Sequence, residues 1–186
     1  MCCGTKREIE IDCPGHCPYL RSGRDYEAEK RIPDPELMAR VNQLDNDVVY
    51  RLTPILDAIS REVILGRREM DWMVDTDVID VFKALTATMR TLSSGIYYES
   101  LPDGPVQQSL FRRLKELLDQ VMQPQNAEHR ALKVSEAILA LEFLTLAAQM
   151  NSSSRPRSRR YLDWITDSAG ARLTSSAETS SRLILP

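Results

Sequence analysis

All four cysteines of the chain fall in its first seventeen residues, as Cys2, Cys3, Cys13 and Cys17. The tightest run is Cys13-Pro14-Gly15-His16-Cys17, and a Pro-Gly pair favours a tight turn that brings flanking soft ligands together. Zinc takes four tetrahedral sulfur or nitrogen donors. Cys3, Cys13, His16 and Cys17 make up such a set, with Cys2 as a substitute for Cys3. The pattern is one half of a usual zinc signature, because no second separated knuckle follows it. The same residues suit thiol chemistry, since a cysteine near a helix start is acidified and becomes a better nucleophile. The CxxC redox spacing and a βαβ setting for it are missing from the sequence. The plain alternative makes Cys13 and Cys17 small apolar anchors of a loop, with Cys2 and Cys3 exposed.

A second cluster reads Arg155-Pro156-Arg157-Ser158-Arg159-Arg160, followed by Tyr161 and Trp164. Arg155, Arg157, Arg159 and Arg160 at a helix start suit phosphate binding, with aromatics alongside for stacking. Cations oppose the dipole at a helix N-terminus, so they serve something other than helix stability there. The plain alternative is solvated charge, or salt bridges to Asp163 and Asp167. A third run, Ser93 to Glu99, ends a long helical pattern with Tyr97, Tyr98 and Glu99. These three form either a polar pocket at the rim or ordinary packing with fraying.

Enzyme signatures are scarce. There are seven glycines and neither a GxGxxG nor a Walker pattern. The two histidines, His16 and His129, both lack the glutamate three residues earlier that a ferritin-like di-iron site uses. No G-x-S-x-G elbow occurs.

The elements that must position these residues are helical. From Pro35, residues Leu37, Val41, Leu44, Val48, Leu52, Ile55 and Ile59 recur at steps of three and four, one face of a helix with a kink or restart expected at Pro54. Val78, Phe82, Leu85, Met89, Leu92 and Ile96 mark a second helix, running to Glu99 behind an Asp75-Thr76-Asp77 cap. Val106 to Val121 mark a third, and a helix from Asn126 to Met150 is apolar nearly all round, which suits the centre of a bundle. A short polar helix from Ser22 to Lys30 precedes them, and another from Arg159 to Thr166 follows. Leu85, Met89, Leu92, Leu139, Phe143 and Leu146 form the expected shared core. The long-then-short helix order occurs twice, a pairing that chance also produces.

With 186 residues, 42% hydrophobic and 27% charged, the chain has the makeup of a soluble core-forming protein. Its net charge of −3 excludes a whole-chain polycation. The longest apolar stretch, Ala137–Ala148, is broken by Glu142 and too short to span a bilayer. Met1–Asp12 lacks the apolar region of a signal peptide, and cysteines confined to one segment suit a reducing compartment. A cytoplasmic protein that does not enter membranes follows.

The expected fold is all-α, an antiparallel bundle of four to five main helices. It carries a Cys/His-bearing segment over residues 1–33, the bundle over 34–167, and a disordered Ser/Thr-rich tail over 168–186. The expected function is a non-catalytic interaction or regulatory protein with a protein partner or self-association, and with Zn2+ as a structural ion. A nucleic-acid binder using Arg155–Arg160 is the alternative. A thiol- or metal-dependent enzyme built on Cys13 and Cys17 stands third.

Overall fold

Helix is the regular structure throughout residues 5–28, 34–123, 131–153 and 155–169, which the computed structural model describes. Among these residues the one exception is an isolated bridge between Arg7 and Ile11. The chain is all-α. Helix α1 spans Pro18–Ala28 and α2 spans Pro35–Asn42. Pro35 takes the first helical position, where no donor is needed. The Asp34 carboxylate accepts from the N–H groups of Glu36 and Leu37.

The continuous stripe from Leu37 to Ile59 is divided in space. After α2 the chain turns, and α3 runs over Asn46–Glu69 with Asp45 at its N-cap. An aspartate competes for backbone donors and favours a fresh start over continuation. The restart therefore falls at Asp45, and α3 carries on through Pro54. Pro54 deprives the Tyr50 carbonyl of its donor, but Tyr50 is 81% exposed and water can serve it.

Helix α4 spans Asp75–Ser93, shorter than its apolar pattern suggests. Gly95 stops it by adopting φ +81°. The Gly95 N–H donates to the Leu92 carbonyl and the Ile96 N–H to the Thr91 carbonyl, each at 3.0 Å. These two bonds satisfy carbonyls that the helix end would orphan. Ile96, placed in the stripe by spacing alone, is instead 66% exposed. Helices α5 (Pro105–Met122) and α6 (Val134–Asn151) follow. The expected start of α6 at Asn126 lies outside the described residues; the Glu136 carboxylate accepts the Lys133 N–H at its observed start. A last helix, α7, covers 160–169. Ser168 and Ala169, assigned by sequence to the tail, belong to it; the rest of that tail lies outside the described residues.

Helix α4 packs most extensively on α6 and α5, while α6 also meets α2 and α3, and α3 meets α5. Phe82, Leu85 and Met89 of α4 are wholly buried against Leu114 of α5 and Leu141 of α6 in one apolar cluster. Of the six residues expected to share the core, Leu85 and Met89 are central, and Leu92 and Leu139 pack partly buried against it. Leu146 is buried, whereas Phe143 lies at the surface of α6 and is only half-buried. Glu142, which interrupts the apolar run of α6, is 5% exposed and paired with Arg90 of α4 at 2.6 Å and Arg40 of α2 at 3.2 Å.

The Gly95 turn makes a direct prediction. Gly95→Ala forces an L-residue into the left-handed region and should cost about 1–2 kcal/mol. Urea denaturation measures it, and an unchanged midpoint would show that the positive φ is dispensable.

Candidate functional site

A carboxylate at the start of α4 fixes the place of α7. Asp75 is fully buried. One of its oxygens accepts from the Ser158 hydroxyl at 2.7 Å and the Tyr161 N–H at 3.2 Å, and the other accepts from the Leu162 N–H at 3.2 Å. Its own N–H donates to the Ser158 carbonyl at 2.8 Å. Asp75 thus caps a helix some eighty positions away, while Asp77 performs the local task by accepting the Val74 N–H at 2.9 Å. Two helix N-termini, of α4 and α7, meet at one anion, where both dipoles favour negative charge. Burial nevertheless raises the Asp75 carboxyl above its ordinary value, against the pull of the Ser158, Tyr161 and Leu162 donors. The adjacent Tyr161 ring is wholly buried, and its hydroxyl has no partner among the described residues. Desolvation, then the Asp75 charge, raises the Tyr161 phenol.

The arginine cluster lies next to this cap and binds the amino-terminal segment of the same chain. Arg155 donates to Glu27 at 2.7 and 3.1 Å and to the Arg7 carbonyl at 2.7 Å. Arg157 reaches the Glu10 carbonyl at 3.1 Å. Arg159 pairs with Asp12 at 2.6 Å and donates to the Met73 carbonyl, and Arg160 donates to the Arg24 carbonyl at 2.8 Å. Asp163, one of the two acids expected to neutralise the cluster, instead binds Arg24 at 3.1 Å and Arg67 of α3 at 2.6 Å.

The segment returns the contacts through Glu8. This residue is 1% exposed and holds φ 54°, the sole positive value among the described non-glycine residues. Its carboxylate accepts from Arg24 at 2.8 Å and from the Ser153 hydroxyl at 3.3 Å, and its carbonyl accepts the Arg157 N–H. A backbone held in a sparsely populated region at a buried charge marks a place that its surroundings over-determine. Arg7 crosses α1 at Gly23 to reach Glu27 at 3.0 Å, so close that a Cβ at Gly23 would meet the guanidinium at 1.9 Å. Burial disfavours the Glu27 charge, but the hydrogen bonds from Arg7 and Arg155 outweigh it and hold the carboxyl below its ordinary value.

The cysteine cluster sits at the edge of this arrangement. The Pro14-Gly15 turn lies against Asp163, and the Cys17 N–H closes it on the Pro14 carbonyl at 3.0 Å. Cys13 and Cys17 are free and half-buried. Among the described residues no three His, Cys, Asp or Glu side chains gather closely enough to hold a metal ion. Cys13, His16 and Cys17 are therefore not assembled as a ligand set, and Cys2 and Cys3 lie outside the described residues. The Tyr97, Tyr98 and Glu99 run follows the end of α4 as a loop with both tyrosines exposed and Glu99 half-buried; the Tyr97 hydroxyl bonds to Glu99, and Lys115 lies 5.4 Å from the Tyr97 ring centre.

The far side of α7 forms what the sequence reading missed, a groove of about 590 Å3 between α3, α6 and α7. Leu56 and Ile64 of α3, Phe143 and Leu144 of α6, and Trp164 and Ile165 of α7 line it. Asp57, Arg61 and Arg68 stand among the lining residues, and neither Arg61 nor Arg68 forms an ion pair among the described residues. The signal in the sequence was a second apolar stripe on α3, Leu56 and Ile64, offset from the core stripe of Leu52, Ile55 and Ile59. An apolar residue beyond the core-facing stripe widens the face past what one core contact needs.

The cap and the clasp respond oppositely to pH. The folded Asp75 carboxyl binds a proton more readily than the unfolded one, so its contribution is complete below the ordinary aspartate value and is lost as pH rises through its raised value. Glu27 is the reverse, contributing above the ordinary glutamate value and losing that contribution as pH falls through its lowered one. Glu27→Gln should cost about 1–2 kcal/mol at neutral pH, a difference that shrinks when denaturation is repeated at about pH 3. Asp75→Ala, which orphans three donors, should cost about 2–3 kcal/mol. An unchanged midpoint for Asp75→Ala would show that α7 is held by packing alone, and one for Glu27→Gln that the clasp adds nothing to stability.

In comparisons with known proteins, the chain matches no family model, no curated protein and no solved structure.

Proposed function

We propose that the protein is a non-catalytic interaction protein that receives an amphipathic partner helix in the groove between α3, α6 and α7. In this reading the helices α3 to α6 form an antiparallel bundle that serves as the scaffold, and the protein works in the cytoplasm. The observation that carries it is the pairing of a half-exposed Trp164 (46%) and the surface Phe143 across an apolar cleft. Helix-in-groove recognition lays the apolar face of a partner helix into a cleft with such walls. From Thr53 to Arg68 the groove follows α3 for about 22 Å at 1.5 Å per residue, which matches a partner helix of about four turns. Arg61 and Arg68 select a partner with acidic side chains beside its apolar stripe.

The nucleic-acid reading asks more of the molecule. Arg155 and Arg159 would have to leave Glu27 and Asp12, and Arg157 and Arg160 would have to release backbone carbonyls. Each exchange gives up a charge-assisted bond for one to phosphate.

A fluorescent probe tests the groove. 8-Anilinonaphthalene-1-sulfonate combines an apolar body with one anionic group, and it should bind one-to-one. Phe143→Asp and Ile64→Asp should each weaken that binding by about tenfold, the effect of a lost apolar anchor worth about 1.4 kcal/mol. Arg61→Glu with Arg68→Glu should weaken it several-fold while leaving the helical circular dichroism unchanged. Binding indifferent to all of these substitutions rules the groove out. Titration of a duplex DNA should show no salt-dependent association; a salt slope that Arg157→Ala and Arg159→Ala abolish would favour the nucleic-acid reading.

A further inference from the structure

A second apolar surface stands at the carboxyl end of α4. Within the six residues after Gly95, the side chains of Ile96, Tyr97, Tyr98 and Leu101 are each more than half exposed. Their backbone is nevertheless held in place. The Ile96 N–H donates to the Thr91 carbonyl, the Thr91 hydroxyl to the Tyr98 carbonyl and the Ser100 N–H to the Thr88 hydroxyl, each at 3.0 Å. A tyrosine buries about 150–250 Å2 when covered, so the four side chains make a patch of the size that marks interaction sites. Holding them out on a fixed loop lowers the entropy cost of binding. We infer that this loop, residues 95–104, seats head to tail in the groove between α3, α6 and α7 of a second copy of the chain, with Tyr97, Tyr98 and Leu101 against Phe143 and Trp164 and its carboxylates beside Arg61 and Arg68. The inference rests on the groove being a docking surface, and it names one occupant and the regulation that follows.

The charges of the two surfaces are complementary. The loop carries Glu99 and Asp103 and no Lys, Arg or His, and Lys115, beside the Tyr97 ring, is paired with Asp119. In the groove Arg61 and Arg68 are exposed and without an ion pair among the described residues, while Asp57, the one acid of its lining, is already engaged. Distance makes the contact intermolecular. Helix α4 has 19 residues and rises about 28 Å; Asp75 holds α7 at one end, and the loop leaves the other, tied to Thr88 and Thr91. The loop therefore cannot reach the Trp164 wall of its own groove. Each copy has one loop and one groove, so the contact is heterologous and a pair leaves one of each free. An interface this small is weak and set by mass action. A partner helix finds an open groove only on an unoccupied copy, and its affinity falls with the fraction of grooves that are open.

Sedimentation equilibrium of the full chain at about 0.01–1 mM reads the contact, and the average mass should rise with concentration. Tyr97→Ser with Tyr98→Ser and Leu101→Ser removes the loop, and Phe143→Asp removes the groove. Each variant should weaken self-association at least tenfold with its helical circular dichroism unchanged. An equimolar mixture of the two should associate as tightly as the unaltered chain yet stop at a dimer, since one intact loop and one intact groove remain per pair. Arg61→Glu with Arg68→Glu, both at exposed positions, replaces Phe143→Asp in the mixture if that variant loses its helical signal. A chain that stays monomeric throughout overturns the inference, as does self-association that ignores either variant. A mixture that stays monomeric also overturns it and assigns the contact to like surfaces facing each other. If the chain is monomeric yet the anilinonaphthalene probe still depends on Phe143, the docking surface stands and only this occupant is lost. A probe that ignores Phe143, Ile64, Arg61 and Arg68 removes the docking surface itself.

Discussion

An anion sealed from water must be met by donors, and at Asp75 those donors belong to another helix. A short helix such as α7, about ten residues long, has little stability alone. Its first turn is held instead by the Asp75 carboxylate, and its last buried residues, Leu162 and Ile165, join the apolar cluster. Once α7 is fixed there, Asp163 stands within reach of Arg24 and Arg67, and Trp164 and Ile165 form one wall of the groove. The cap thus couples the charged side of α7 to its apolar side.

The charged side is made almost wholly with arginine. A guanidinium presents several donors in a rigid fork and is less strongly hydrated than an ammonium, so it tolerates half-burial and divides its bonds among a carboxylate and a carbonyl. Arg155 does this between Glu27 and Arg7, and Arg159 between Asp12 and Met73. Desolvation offsets much of the attraction in such pairs, and their gain is chiefly in geometry. The clasp sets the position of residues 5–28 more than it adds stability. Being partly shielded from solvent, it is also less screened by salt than surface pairs.

The helices were legible wherever a periodic stripe met a local cap, as at Pro35 and Pro105. They were misjudged where a single residue's local chemistry ended the pattern: Asp45 divided one stripe and Gly95 cut short another. The reactive clusters were legible as clusters but not in their use. Four arginines in six residues signal excess positive charge, yet their carboxylates, Asp12 and Glu27, lie more than 120 positions away. Pairing at that separation leaves no periodic trace. The groove was hidden for the opposite reason, because Phe143 looks like a core residue on a helix that is apolar on most sides. Only the packing of α6 against α4 decides which of its apolar residues face out.

The contacts from Glu8 to Ser153 and from Arg7 to Arg155 join positions about 145 apart in sequence. Closing so long a loop is entropically slow, whereas α4, α5 and α6 meet through much nearer neighbours. The order of assembly follows: the helical core condenses first, and the amino-terminal segment docks onto a surface that already exists. The strained Glu8 backbone is then a late event, held only once Arg24, Ser153 and Arg157 are in place around it.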